Sequence, residues 1–133
     1  MNYKFRTKPY KHQEEIFNKI KDLPNYALLM EQGTGKTKVI IDNFAYLYYK
    51  GMVDAILVIA PNGVHRNWVS DEIPKHLPED IKYNSLFWDS GKTSTKKFQE
   101  KFLDLLNSKE LCVLTTNVES FRVSKSVFSF LTF

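Results

Sequence analysis

The stretch Gly33-Thr34-Gly35-Lys36-Thr37 brings together the parts needed to hold a polyphosphate. Two glycines let backbone N–H groups approach anionic oxygens with no side chain in the way. A helix opening near Lys36 adds the partial positive charge of its N-terminus. The Lys36 ammonium suits the β- and γ-phosphates, and the Thr37 hydroxyl suits Mg²⁺. The strict form of the pattern asks for one more glycine, where this chain has Met30. A second Gly-Lys-Thr, Gly91-Lys92-Thr93, serves as an internal control. It has Asp89 in place of the earlier glycine and runs into a polar stretch, so it reads as a solvated turn.

Such a loop works only where a strand leads in and a helix leads out. Tyr26 to Met30, "YALLM", is a short apolar run that reads as a buried strand. A helix from Lys36 follows, with Val39, Ile40, Phe44 and Leu47 inward. Upstream, Ile16, Phe17 and Ile20 share a helical face within Tyr10 to Asp22. Downstream, "AILVIA" (Ala55 to Ala60) is the strongest strand signal, closed by Pro61-Asn62-Gly63. A helix through Arg66 to Lys75 should end near Pro74 or Pro78. "NSLFW" (Asn84 to Trp88) gives a third strand. Phe98, Phe102, Leu105 and Leu106 mark a helix, and "LCVLTT" (Leu111 to Thr116) gives a fourth strand. This alternation predicts an α/β fold with a mostly parallel sheet covered on both faces. Ligands in such sheets bind beyond the carboxyl ends of the strands, where the Gly33–Thr37 and Pro61–Gly63 loops fall.

The totals suit one domain. The chain has 133 residues, 43% hydrophobic and 26% charged, which argues against disorder. A net charge of +4 permits an anionic partner without requiring one. The single cysteine, Cys112, excludes an intrachain disulfide and reads as a buried core residue. No apolar stretch approaches the ~20 residues of a membrane span, and the N-terminus lacks the apolar centre of a signal peptide. The expectation is a soluble protein of a reducing, cytoplasmic interior.

"MEQGTGKT" (Met30 to Thr37) resembles motif I of the superfamily-two helicases, especially the Swi/Snf-type DNA translocases, where the first loop position is often not glycine. Three further stretches agree in order. "KPYKHQ" (Lys8 to Gln13) resembles the adenine-holding Q motif. "LVIAPNGVHRNW" (Leu57 to Trp68) resembles motif Ia, and "LCVLTTN" (Leu111 to Asn117) resembles motif Ib. The Asn67-Trp68 pair and the Thr-Thr-Asn-x-Glu run favour the Swi/Snf type. The resemblance implies a RecA-like P-loop three-layer sandwich, here the amino-terminal part of a first motor domain.

It also implies roles. ATP would be held by Gln13, Gln32, Gly33, Thr34, Gly35, Lys36, Thr37 and Lys38. Lys36 and Thr37 would serve the chemistry, and Thr37 would bind Mg²⁺. DNA backbone would be met by Asn62, Gly63 and Arg66 in motif Ia and by Thr115 and Thr116 in motif Ib. The Gln13 amide can donate to and accept from an adenine edge at once. Tyr10 either stacks near the base or packs. Trp68 reads as helix packing. His12 and His65 have no second metal ligand spaced to join them. The basic residues Lys4, Arg6, Lys8 and Lys11 read as a solvated face.

One departure from the family is large. Its motors carry an Asp-Glu pair on a strand after motif Ib, which binds Mg²⁺ and orients the attacking water. The Asp-Glu of this chain, Asp71-Glu72, lies within the motif Ia helix and is a poor substitute. Glu31, beside the loop glycines, is a weak candidate for Mg²⁺ through water. The apolar end "SVFSFLTF" (Ser126 to Phe133) reads as a helix that packs on a following strand. The chain therefore reads as a motor cut inside its first lobe and not itself a competent ATPase. The alternatives are a short non-catalytic nucleotide- or partner-binding module, and an unrelated P-loop kinase, which would lack the Gln13 and Asn67-Trp68 signatures.

Overall fold

The computed structural model describes residues 2–30, 35–61, 63–89 and 95–123. Gln32, Gly33, Thr34 and Asn62, the second Gly-Lys-Thr and the apolar carboxyl end lie outside the described residues. Contacts divide the described residues between two compact units. One falls within Met1–Val53 and Glu72–Ile81, the other within Asp54–Asp71 and Lys82–Phe133.

The second unit is built on a sheet. Strands β1 (Ala55–Ile59), β2 (Tyr83–Phe87) and β3 (Leu111–Thr116) are all parallel, in the order β1-β3-β2. Ile56 pairs with Val113 and Asn84 with Cys112. All six residues of β3 are buried, because a central parallel strand has neighbours on both edges and cover on both faces. That explains its unbroken apolar run. Parallel neighbours need crossovers. Helix α5 (Lys96–Leu106) supplies the one between β2 and β3. The Thr95 hydroxyl caps it, accepting from Phe98 N at 3.3 Å. Its inner face, Phe98, Phe102 and Leu105, joins Trp88, Cys112 and Leu114 in one buried cluster. Trp88 meets Phe98 and Phe102 edge-on at 5.3 Å each. Cys112 is buried here, and its thiol donates to the Leu105 carbonyl. Helix α6 (Val118–Val123) follows β3.

The first unit is helical. Helix α1 (Lys11–Ile20) packs on α2 (Lys36–Tyr49). Phe17 and Ile20 are the buried apolar residues of α1, matching the sequence periodicity. Phe17 gathers Tyr3, Phe5 and Tyr46 around it at 5.2 to 5.9 Å. Helix α2 buries more than the stripe read from its sequence: Ile41, Asp42, Asn43, Ala45 and Tyr46 are covered besides Val39 and Phe44.

The expected helix of residues 66–75 is observed as three short segments. These are α3 (Val64–Asn67), a wide π turn at Trp68–Glu72 and α4 (Ile73–His76). Pro74 does not end the helix; it sits in the first turn of α4. A proline has no N–H for the carbonyl four residues back and clashes with it. The π turn widens the backbone where that clash would fall.

One expectation fails. Tyr26 to Met30 is not a strand: it has no ladder partner among the described residues, and Leu29 is 95% exposed. Apolar composition makes a strand only where an edge is available to pair with it. Side chains anchor this segment instead. Asn43 Nδ2 donates to the Tyr26 hydroxyl at 2.7 Å, and Lys36 Nζ donates to the Met30 carbonyl at 3.0 Å. The sheet accordingly has three strands among the described residues, not four.

The contrast between two leucines checks this arrangement by urea denaturation. Leu114→Ala, at a fully buried site of the central strand, is expected to cost about 2–5 kcal/mol. Leu29→Ser is expected to change stability by less than about 0.5 kcal/mol.

Candidate nucleotide-binding site

The geometry of the loop starts at Gly35. It precedes α2 with φ at +83°, in the left-handed region that suits glycine. A Cβ placed there would lie 2.0 Å from Gln13 Nε2. Gly35 is therefore required twice, by its backbone angle and by the side chain against it.

Gln13 is buried and bridges two segments. Its Oε1 accepts from Tyr10 N at 2.8 Å, and its Nε2 donates to the Gly35 carbonyl at 3.3 Å. The first bond satisfies an N–H at the start of α1 that has no partner within the helix. The second ties the "KPYKHQ" stretch to the phosphate loop. The amide expected to face an adenine edge is thus engaged inside the protein in this structure. Tyr10 is 72% exposed, its ring stacked on His12 at 5.9 Å.

A cleft of about 460 Å³ opens over this junction. Tyr10, Gln13, Gly35, Lys36 and Thr37 line it, together with Glu72 and His76 from the chain around α4. The 14-residue α2 starts at this cleft without a side-chain cap, and such a helix start suits an anion. Lys36 donates to the Met30 carbonyl, a weaker acceptor than the phosphate oxygen that would compete for it.

Lys38 borders the cleft but is turned inward. Its ammonium pairs with Asp42 at 2.8 Å, both side chains nearly fully buried, and lies 5.2 Å from the Phe5 ring centre. The Lys38 ammonium is thus engaged within the protein, while its backbone N–H stays in the first turn of α2. Tyr3 donates to the other Asp42 oxygen at 2.8 Å. Burial raises the Asp42 carboxyl above the usual range, with Lys38 and Tyr3 opposing the shift.

Two residues of the cleft carried no role in the sequence reading. His76 Nδ1 lies 2.7 Å from the Thr7 hydroxyl, and His76 Nε2 lies 3.4 Å from Glu72. Burial, then Lys38 and Lys75, lowers the His76 pKa; Arg6 acts in the same direction and Asp42 opposes. The available signal was the four-residue spacing of Glu72 and His76, which puts them on one helical face.

The motif Ia and Ib residues fall in the other unit. Gly63 is exposed with φ at +89°. Arg66 is exposed, its guanidinium 4.9 Å from the Phe87 ring centre. Thr115 and Thr116 are fully buried, and their hydroxyls donate to the His65 and Asn117 carbonyls. They hold the protein together instead of presenting hydroxyls to a backbone phosphate. His65 is buried as well, with Nε2 3.2 Å from the Trp88 carbonyl. Trp68 is buried, in keeping with a packing role.

The family described as type III restriction enzyme, res subunit, matches residues 6–126. The chain belongs to this family. It is a superfamily-two, helicase-like family with a RecA-like amino-terminal domain, which accounts for the parallel α/β sheet and the phosphate loop. No single curated protein shows significant similarity to the chain. No helix among the described residues is long and apolar enough to cross a membrane.

The residues present fit the ATP such a family binds. Gly35 turns the backbone into the start of α2, Lys36 supplies a movable cation, and Thr37 supplies a hydroxyl. Among the described residues no group of three His, Cys, Asp or Glu side chains could hold a metal. Mg²⁺ would therefore be held jointly by Thr37 and nucleotide phosphates, as this ion commonly is.

Two outcomes follow. Gly35→Ala is expected to cost about 1–3 kcal/mol from backbone strain and the Gln13 clash. In a Gln13→Ala background the same change should cost only about 1–2 kcal/mol, because the clash is gone; denaturant titration of the four proteins measures both values. His76 binds its proton less readily in the folded than in the unfolded chain, so stability should fall as pH drops below 6.5. His76→Gln should flatten that slope in melting curves taken between pH 5 and pH 8 on the same order of buffer strength.

Proposed function

We propose that the chain is the amino-terminal, nucleotide-binding part of an ATP-dependent DNA motor of the Swi/Snf-like kind. ATP and Mg²⁺ are its cofactors and the DNA backbone is its partner. The observation that carries this reading is the junction of Gln13 with Gly35. It brings the stretch resembling the Q motif onto the loop resembling motif I, in one cleft with Lys36 and Thr37. Family membership over residues 6–126 supports the same reading.

Within it, Lys36 neutralises charge on the terminal phosphates and Thr37 orients Mg²⁺ against them. The α2 N-terminus adds fixed dipoles. A water-orienting carboxylate pair on a strand after motif Ib is not present in the sequence. The residues of this chain bind the nucleotide phosphates and contribute to hydrolysis through Lys36 and Thr37. On the DNA side, the exposed loop at Gly63 and Arg66 are the groups offered to phosphate; such contacts position the protein and carry no sequence preference.

A non-catalytic nucleotide-binding module is the second reading, favoured by the engagement of the Gln13 amide inside the protein. Lys36→Ala should abolish ATP and ADP binding in a calorimetric titration while leaving the melting temperature nearly unchanged. Undiminished binding in that variant refutes both readings.

A further inference from the structure

Strand β2 forms one edge of the sheet, and its sequence does little to guard that edge. Edge strands are often protected by charge or proline. Tyr83–Phe87, Tyr-Asn-Ser-Leu-Phe, has neither. Its ladder to β3 uses one side only: the Lys82 carbonyl accepts from Leu111 N, and Trp88 N donates to the Thr115 carbonyl. Bonding residues alternate along a parallel strand, so Asn84 and Leu86 face β3 as well. Ser85 and Phe87 therefore turn their N–H and C=O groups outward, with no hydrogen-bond partner for them among the described residues. A groove of about 420 Å³ follows this edge. Its walls come from both faces of the sheet. Phe87 meets His65 and Arg66 on one face, that of the helical segment carrying Val69. Leu86 packs into the cluster of Trp88 and α5 on the other, where Lys101, Asp104 and Leu105 line the groove. A slot between two layers, with an open ladder along it, has the shape of a further strand.

We propose that the strand filling this slot is β2 of a second copy of the chain, paired antiparallel about a two-fold axis at Ser85. Ser85 is the middle residue of β2, so the axis sets it against its own mate, where the two exchange their outward backbone bonds. The same axis places the Tyr83 side chain beside Phe87 of the copy, and does so twice, giving two aromatic cross-strand pairs. Charge favours a second copy over an unrelated peptide. Helix α5 leads from β2 back to the start of the parallel β3, so it runs against the strands. Lys101 thus lies nearer the carboxyl end of β2 and Asp104 nearer its amino end. Both are exposed, and neither makes an ion pair among the described residues. The two-fold reverses their order, bringing each Lys101 to the side of the copy's Asp104. A symmetric interface needs a patch complementary to itself, and one cation and one anion in line along an edge strand provide it.

Sedimentation velocity of the whole chain over a range of concentrations tests this. Wild type should pass from the 15.6 kDa monomer to a dimer with a dissociation constant of about 100 µM, since one strand edge is a small interface. Ser85→Pro removes the central outward N–H at an edge position where proline is tolerated, and should weaken association about tenfold. Lys101→Asp and Asp104→Lys should each weaken it about fivefold, and an equimolar mixture of the two should recover it as a mixed dimer. The double variant carrying both changes should also associate like wild type. A wild type that stays monomeric at about 1 mM overturns the proposal and leaves the edge to a strand of another protein. A folded Ser85→Pro chain that dimerises undiminished places the interface elsewhere and overturns it too. Should Ser85→Pro not fold, the charge variants decide alone: single variants that associate like wild type, or a mixture that fails to recover, refute the antiparallel pairing.

Discussion

The candidate site depends on one close approach, that of the Gln13 amide to the Gly35 carbonyl. Gly35 can hold φ at +83° and admit Gln13 only because it lacks a side chain. The same amide completes the start of α1 through Tyr10 N. One buried side chain thus links a helix start, a tight turn and a second helix start. A buried amide left half satisfied would cost roughly 1–3 kcal/mol, so the two bonds are mutually enforcing. The packing of Phe17 with Tyr46 and the bond from Tyr3 to Asp42 extend that link along α2.

Charge is distributed around this junction with some separation of tasks. Lys38 and Asp42 form a pair inside the unit, where burial raises the Asp42 pKa and the Lys38 ammonium opposes that shift. Lys36 remains at the loop, where among the described residues it meets the Met30 carbonyl. Breaking a buried pair by removing one partner is costly, whereas a carbonyl contact is readily exchanged. The two lysines stand two residues apart in sequence and do different work. His76 and Glu72 stand 3.4 Å apart beside them, and burial, then Lys38 and Lys75, lowers the His76 pKa.

The parallel strands β1, β2 and β3 and the helix opening at Lys36 were legible in the sequence. Each has a local signature: glycine spacing, a short apolar run, or periodicity of 3.6. Tyr26 to Met30 misled because strand formation is a pairing property, and pairing is not written in a single segment. The inward turn of Lys38 was hidden for a similar reason. Its partner Asp42 is one helical turn on, but burial of both came from α1 and the N-terminal segment packing over them. Thr115 and Thr116 looked available at the end of β3, and the carbonyls of His65 and Asn117 claimed them. Glu72 and His76 carried only a weak spacing signal.

By itself, the sequence determined which backbone could turn tightly, which helix would open at Lys36, and that the sheet would be parallel. These follow from covalent geometry and apolar patterning, which act over a few residues. Only the tertiary structure decided which polar groups face a ligand and which face the protein. That choice depends on what reaches each donor and acceptor first: Lys38 found Asp42, the threonines found carbonyls, and Gln13 found Gly35.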